Sequence, residues 1–337
     1  KGRIYFLWSA PTYLLMGISL TMTLVLRSMR KVMVPLITSV ICFFVNVFFN
    51  WVFIFGNLGA PRMEIAGAAL GTLIARLWEF LFICGYFFFI DKRMRYRIRD
   101  MFMRCRDLIH EYFRVSIPVL ISDALLALGN NTVAMIMGRI SNAFVAANTV
   151  TTVVQQLSSV LTQGVSNASG IITGHTMGEG DFEKAQTQGY AFMTMGAIIG
   201  VAASLLIFAV KNPIIAYYDV SAEAKLIANE LMWAIMLIMV FQSVNSILTK
   251  GVLRAGGDTK FLMLGDILFL WIASIPLGAL AGLVFDLPAF TIYTALKIDQ
   301  IIKCIWCFFR LRSGKWLKRI NRANSVQTKR EESKAAC

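Results

Sequence analysis

Several acids and bases stand inside long apolar runs, where an ionised side chain is costly and marks a functional candidate. Asp123 lies about nine residues into its run, roughly 14 Å deep at the helical rise. Asn130 and Asn131 follow at i+7 and i+8, so a helix places them on the face of Asp123, with Ala127 between. Asp299 and Lys303 are spaced i,i+4 with the acid first, the favourable order for a helical ion pair. Asp299 is about 11 residues from the end of its run, roughly 17 Å in. Asp266, Lys297 and Lys250 share this last third of the chain, and Lys250 stands at a run end, where it can snorkel. Arg76 and Glu79 are spaced i,i+3. A polar run between residues 143 and 172 adds Asn148, Thr152, Gln155, Gln156, Ser159 and Gln163, several of them on one face. Two chemistries are open to such groups. A carboxylate can exchange a proton or a sodium ion beside a water-filled cavity, or the polar groups can pair and hold the helices together.

Other chemistries find little support. Cys304 and Cys307 form a CxxC, but no second pair and no histidine accompany it. The histidines are His110 and His175, far apart in sequence. The six cysteines mostly fall in apolar runs and read as small buried hydrophobes. No catalytic cluster, no metal site and no cofactor are expected. Gly178-Glu179-Gly180-Asp181 lacks the lysine and the strand context of a phosphate-binding loop. It reads as a helix stop followed by a cap, as does Gly256-Gly257-Asp258-Thr259.

The elements that must position these residues follow from composition. Of 337 residues, 57% are hydrophobic and 15% charged, against about 25% charged in soluble chains. The blocks of apolar residues make this an all-α integral membrane protein. Nine spans are expected, at about 4–26, 33–55, 65–90, 114–137, 143–172, 188–210, 227–249, 261–285 and 288–309. The fifth is the most polar. The 33 basic residues exceed the 19 acidic ones and give +14. Nucleic acid is not the expected partner, because cytoplasmic loops of membrane proteins concentrate Lys and Arg. The rich connections hold Arg27, Arg30 and Lys31, then residues 92–114, then Lys184, then Lys250, Arg254 and Lys260, then the tail. By that rule they are cytoplasmic, with the C-terminus inside a cell membrane and residue 1 outside.

Between residues 92 and 113, Ile98, Met101, Phe102, Cys105, Leu108, Ile109 and Tyr112 recur at helical spacing among Arg95, Arg97, Arg99, Arg104 and Arg106. That is a basic amphipathic helix on the inner leaflet or a solvated connector, and in either case a lobe boundary. The expected organisation is 1–91, the second half of an N-terminal lobe; 92–113, the linker; 114–312, a six-span C-terminal lobe; and 313–337, a basic tail.

Leu26-Arg27-Ser28 and Leu253-Arg254-Ala255 each close a span before basic residues and another span. At that offset spans one to three overlay spans seven to nine, and Arg76 falls on Lys303. Spans four to six have no counterpart, so three further spans are expected before Lys1. Parallel repeats around a midplane site are an arrangement of transporters.

The chain resembles the multidrug and toxic compound extrusion (MATE) transporters, in the wider group that includes lipid-linked oligosaccharide flippases. The resemblance rests on Pro35 with Asn46, Asn50 and Gly56; Gly67-Ala68-Ala69-Leu70-Gly71-Thr72; Ser116-Ile117-Pro118; Gly138-Arg139-Ile140 with Ala146-Ala147-Asn148; Gly178-Glu179-Gly180-Asp181 with Ala185; and Lys250 to Thr259. It covers residues 1 to about 312. It implies nine helices of a twelve-helix, two-lobe transporter that exports amphipathic or cationic small molecules in exchange for Na+ or H+, by alternating access between the lobes. The implied partners are the small-molecule substrate and membrane lipid, and the implied state is a monomer. The candidate cation and substrate residues are Asp123, Asn130, Asn131, Gln155, Gln156, Asp266 and Asp299, with Arg76, Lys250, Lys297 and Lys303 as intramembrane basic partners. Asp123 stands in the span where familiar members carry a cation-binding acid, but three residues nearer Pro118. A second acid common in the tenth family span is absent from residues 231–249. The alternatives are a flippase, favoured by cationic cavity residues, and a membrane-embedded enzyme, which would need a catalytic cluster at one depth.

Overall fold

The computed structural model describes residues 2–90 and 106–317. The described residues form helices and connecting turns and contain no strand. The chain divides into two compact units, residues 1–106 and 107–337. Most of the 92–113 linker lies outside the described residues, as does the tail beyond residue 317. Residues 106–113 are the opening turns of α4.

The first unit holds α1 (Gly2–Ser28), α2 (Met33–Phe55) and α3 (Ile65–Gly85), the last extended by a π-helical stretch, Tyr86–Ile90. Small residues let α2 and α3 approach closely, the usual means of helix association in lipid. A Cβ on Gly67 would stand 2.5 Å from the Phe53 carbonyl oxygen, and one on Gly71 would strike the Asn50 side chain. The Gly-Ala-Ala-Leu-Gly run is therefore a packing surface.

The second unit contains α4 (Arg106–Ile140), α5 (Asn142–Glu179), α6 (Phe182–Tyr217), α7 (Ala222–Ser246), α8 (Thr259–Ile267), α9 (Ile275–Leu283), α10 (Ala289–Leu296) and α11 (Ile298–Arg312). At the centre is α7, where Leu231, Met232, Ala234, Ile235, Ile238 and Met239 are buried in succession. A helix apolar all round belongs inside a bundle. A π-helical segment, Ile247–Leu253, continues α7, and another, Leu268–Ser274, joins α8 to α9.

By length and apolarity, seven helices among the described residues qualify to cross a membrane. The fifth expected span, α5, is long enough but too polar to be among them. The expected ninth span is not one helix: it breaks at Lys297, whose φ of −119° and ψ of 12° leave the helical region between α10 and α11. The caps also follow the glycine motifs in part. Gly180 closes α5 with φ +82°, and Asp181 accepts a hydrogen bond from Lys184 N to open α6. Gly257 turns with φ +81°, but the Asp258 side chain does not cap α8. Instead it accepts a 2.6 Å bond from Arg310 Nε on α11.

Candidate functional site

Three irregularities of the second unit border one cluster of buried polar side chains. The π segment after α7 begins beyond Asn245, the segment between α8 and α9 separates Asp266 from Ser274, and the break at Lys297 precedes Asp299. π segments and broken helices occur often at functional sites, because they free backbone groups and re-aim side chains.

At the centre is Lys303. Its ammonium donates to Asp266 Oδ1 at 2.9 Å and to Asp299 Oδ2 at 3.3 Å. The Lys303 and Asp299 side chains are 5% and 3% exposed, and that of Asp266 is 14% exposed. Each carboxylate has further donors. Ser122 Oγ of α4 donates to Asp266 Oδ2 at 2.6 Å. Ser274 Oγ donates to Asp299 Oδ1 at 3.1 Å and accepts from Asp299 N at 3.0 Å. The second bond satisfies an amide at the start of α11 that lacks an intrahelical partner. Gln300 Nε2 donates to Asp299 Oδ2 at 2.6 Å, and Asn245 Nδ2 of α7 donates to Gln300 Oε1 at 2.8 Å. Five elements, α4, α7, α8, the π segment before α9 and α11, therefore meet at one hydrogen-bonded ion cluster, the pairing that buried charges need.

The expected i,i+4 geometry of Asp299 and Lys303 is thus present, and Asp266 joins it. Ser122, Ser274, Gln300 and Asn245 were missed, since serine, glutamine and asparagine in an apolar run give no signal of their partner.

Asp123 is not in this cluster. Its Oδ1 lies 3.5 Å from Arg254 Nη2, with side chains 58% and 36% exposed. Asn130 and Asn131 are exposed with it on α4. Lys297 Nζ donates to Asn130 Oδ1 at 3.4 Å, so the stripe gains a cation at its far end. Gln155 donates to Gln242 Oε1 of α7 at 2.9 Å, bonding α5 to α7, while Gln156 and Lys250 are exposed.

In the first unit, Arg76 Nη1 donates to Glu79 Oε2 at 2.6 Å. The pair lines a cavity of about 330 Å³ between α2 and α3, with Cys42, Asn46 and Thr72. Arg76 and Lys303, aligned by the offset noted in the sequence, are both ion-paired cations.

The MatE family model matches residues 118–280, the stretch that supplies Ser122, Asn245, Asp266 and Ser274. Over that stretch the chain is similar to the MATE family. The multidrug resistance protein NorM of Aliivibrio fischeri is 25% identical over 280 residues, covering 82% of this chain and 60% of that protein. A probable NorM of Mesorhizobium japonicum is 27% identical, over 81% of this chain and 59% of its own length. This chain therefore spans about 60% of the length of the curated relatives it matches. A crystal structure of a MATE protein in the straight conformation superposes with a TM-score of 0.81 at 17% identity, covering 93% of this chain and 70% of the other. A mutant of the Vibrio cholerae MATE transporter VcmN gives 0.81 at 14% identity, covering 92% and 68%. These likenesses establish the MATE fold for the helices that carry the Lys303 cluster.

Proposed function

We propose that this chain belongs to a secondary-active exporter of amphipathic or cationic small molecules, driven by cation exchange at intramembrane carboxylates. The observation that carries the reading is the Asp266–Lys303–Asp299 triad, buried among the helices of the second unit. A purely structural bundle is more cheaply held by apolar contacts, since a buried ion pair gives little net stability over a hydrophobic replacement. A group whose charge state changes in each cycle gives a reason to keep the triad. The exposed stripe of Asp123, Asn130 and Asn131 offers polar contacts to cargo. The named relatives are multidrug resistance proteins, which supports the cargo class.

In this reading, cation entry shifts two lobes between inward- and outward-open arrangements, and the chemistry is transport rather than catalysis. The Lys- and Arg-rich connections and the C-terminus face the cytoplasm of a cell membrane. The protein acts as a monomer without a cofactor. A flippase for lipid-linked sugars gains less support. Arg76 is matched by Glu79 and Lys303 by two aspartates, so two of the cations that would hold an anionic headgroup are already paired.

The test is expression in a bacterial strain stripped of its own drug pumps, with accumulation of a fluorescent organic cation as readout. Lower accumulation that a protonophore or sodium withdrawal abolishes, and that Asp266→Asn impairs per folded molecule, is the expected result. Accumulation equal to that of the empty vector for a broad panel of cations, with well-folded protein in the membrane, overturns the reading.

A further inference from the structure

Buried carboxylates two helices apart normally invite a metal cation, yet here the position between them is filled. Lys303 Nζ stands 2.9 Å from Asp266 and 3.3 Å from Asp299, the separations of charge-assisted hydrogen bonds. We infer that Lys303 is a tethered cation occupying the place where sodium would sit, so that this site exchanges protons and excludes sodium. The inference rests on the exporter reading and deepens it by naming the coupling ion.

Charge and space point the same way. Two carboxylates and one ammonium leave the triad at −1, and Lys297 at the helix break, which acts on Asp299, is the nearby second cation; no charge is left over for a bound sodium ion to balance. A sodium ion needs several oxygen ligands around a volume of its own, and the four carboxylate oxygens already accept from the ammonium, Ser122, Ser274 or Gln300. A proton needs no such volume, because it binds one carboxylate oxygen directly. Asp266 is the carboxylate placed to receive it. It is the more exposed of the two and accepts from Ser122 and Lys303, whereas Asp299 accepts from Lys303, Ser274 and Gln300.

A proton from water on one side binds an Asp266 oxygen, and the carboxylate becomes a neutral acid. Its ion pair with Lys303 is lost, and Lys303 stays charged on Asp299. Release of the same proton to the other side restores the pair. Because Asp266 is on α8 and Lys303 on α11, protonation loosens one inter-helix tie while the tie within α11 persists. The other charged or titratable groups near the triad are Lys297 at the helix break and Cys304 and Cys307 on α11. From the remaining packed elements come Ser122 of α4, Asn245 of α7 and Ser274, which do not titrate. Asp123 of α4 is held by Arg254.

The direct test is sodium binding to the purified protein, by radioactive sodium and by thermal stability in sodium against potassium chloride. The wild type is expected to show no saturable sodium binding that Asp266→Asn removes. Lys303→Ala uncovers both carboxylates and should acquire saturable sodium binding and a sodium-specific rise in melting temperature, both lost in Asp266→Asn/Lys303→Ala. Lys303→Arg keeps a tethered cation and should behave as the wild type. Should Lys303→Ala not fold, the wild type decides alone: sodium binding that depends on Asp266 overturns the inference, and its absence upholds it. A folded Lys303→Ala that binds no sodium also overturns it. No drug enters this measurement, so a failure of the export reading leaves its outcome intact.

Discussion

Lys303 leaves α11 to meet Asp266 of α8 at 2.9 Å, closer than it stands to Asp299 one turn away on its own helix. The longer-range contact is thus the shorter one, and α8 and α11 are joined through a charge as well as through the stacked rings of Phe261 and Trp306. Removing one member strands the others. Lys303→Gln should destabilise the protein by about 3–5 kcal/mol, the usual result of leaving a buried charge unpaired. Asp266→Asn/Lys303→Gln leaves one aspartate with two polar donors and should unfold at a higher temperature than Lys303→Gln alone. Thermal unfolding in detergent, followed by the monodisperse fraction on gel filtration, checks both.

The Asp123–Arg254 pair belongs to a different regime. It is open on both sides, and such pairs contribute about 0–1 kcal/mol. Asp123→Asn and Arg254→Gln are therefore expected to give wild-type folded yields. Export per folded molecule should fall more in Asp266→Asn than in Asp123→Asn. The reverse order, with Asp266→Asn transporting at the wild-type rate, moves coupling to the exposed stripe of α4.

Glycines on the second unit separate close approach from open surface. A Cβ on Gly251 would collide with Ser169 Oγ and stand 2.7 Å from the Ser166 carbonyl oxygen, across the contact of α5 with the π segment after α7. Around Gly174 of α5 there is no atom within 4 Å. Gly251→Ala should cost about 1–3 kcal/mol through overpacking. Gly174→Ala should be neutral or gain up to roughly 1 kcal/mol from helix propensity. Melting temperatures of the two variants side by side test the contrast.

Sidedness is open to labelling. Single cysteines at Asn57 and Asn142, which stand at connections poor in Lys and Arg, should react with an impermeant thiol reagent in intact cells. A cysteine at Gly180, where α5 ends and α6 begins, should react only after lysis. The opposite pattern reverses the proposed orientation.

Much of the architecture was legible in the residues because its cause is local. Apolar length selects helices that can cross a membrane, and α2, α3, α4, α6 and α7 fall where hydropathy puts them. The Gly180–Asp181 stop and cap, and the i,i+4 pair of Asp299 with Lys303, depend on spacing within a few residues of one chain segment. The polarity of α5 was equally visible, and its Gln155 turned out to be bonded to α7.

Tertiary structure decided which helices share a charge. Nothing in the order of residues links Asp266 to Lys303, Ser274 to Asp299 or Asp123 to Arg254, because each contact depends on the rotation and depth of two helices packed against each other. The break at Lys297 was equally hidden, as neither glycine nor proline marks Ala295-Leu296-Lys297-Ile298. It forms where leaving the helical ladder is offset by what the bundle supplies: a buried Leu296, a Ser274 hydroxyl for the Asp299 amide, and a paired Lys303 one turn on. Local sequence sets the cost of such a distortion, but only the packed neighbours can make it favourable.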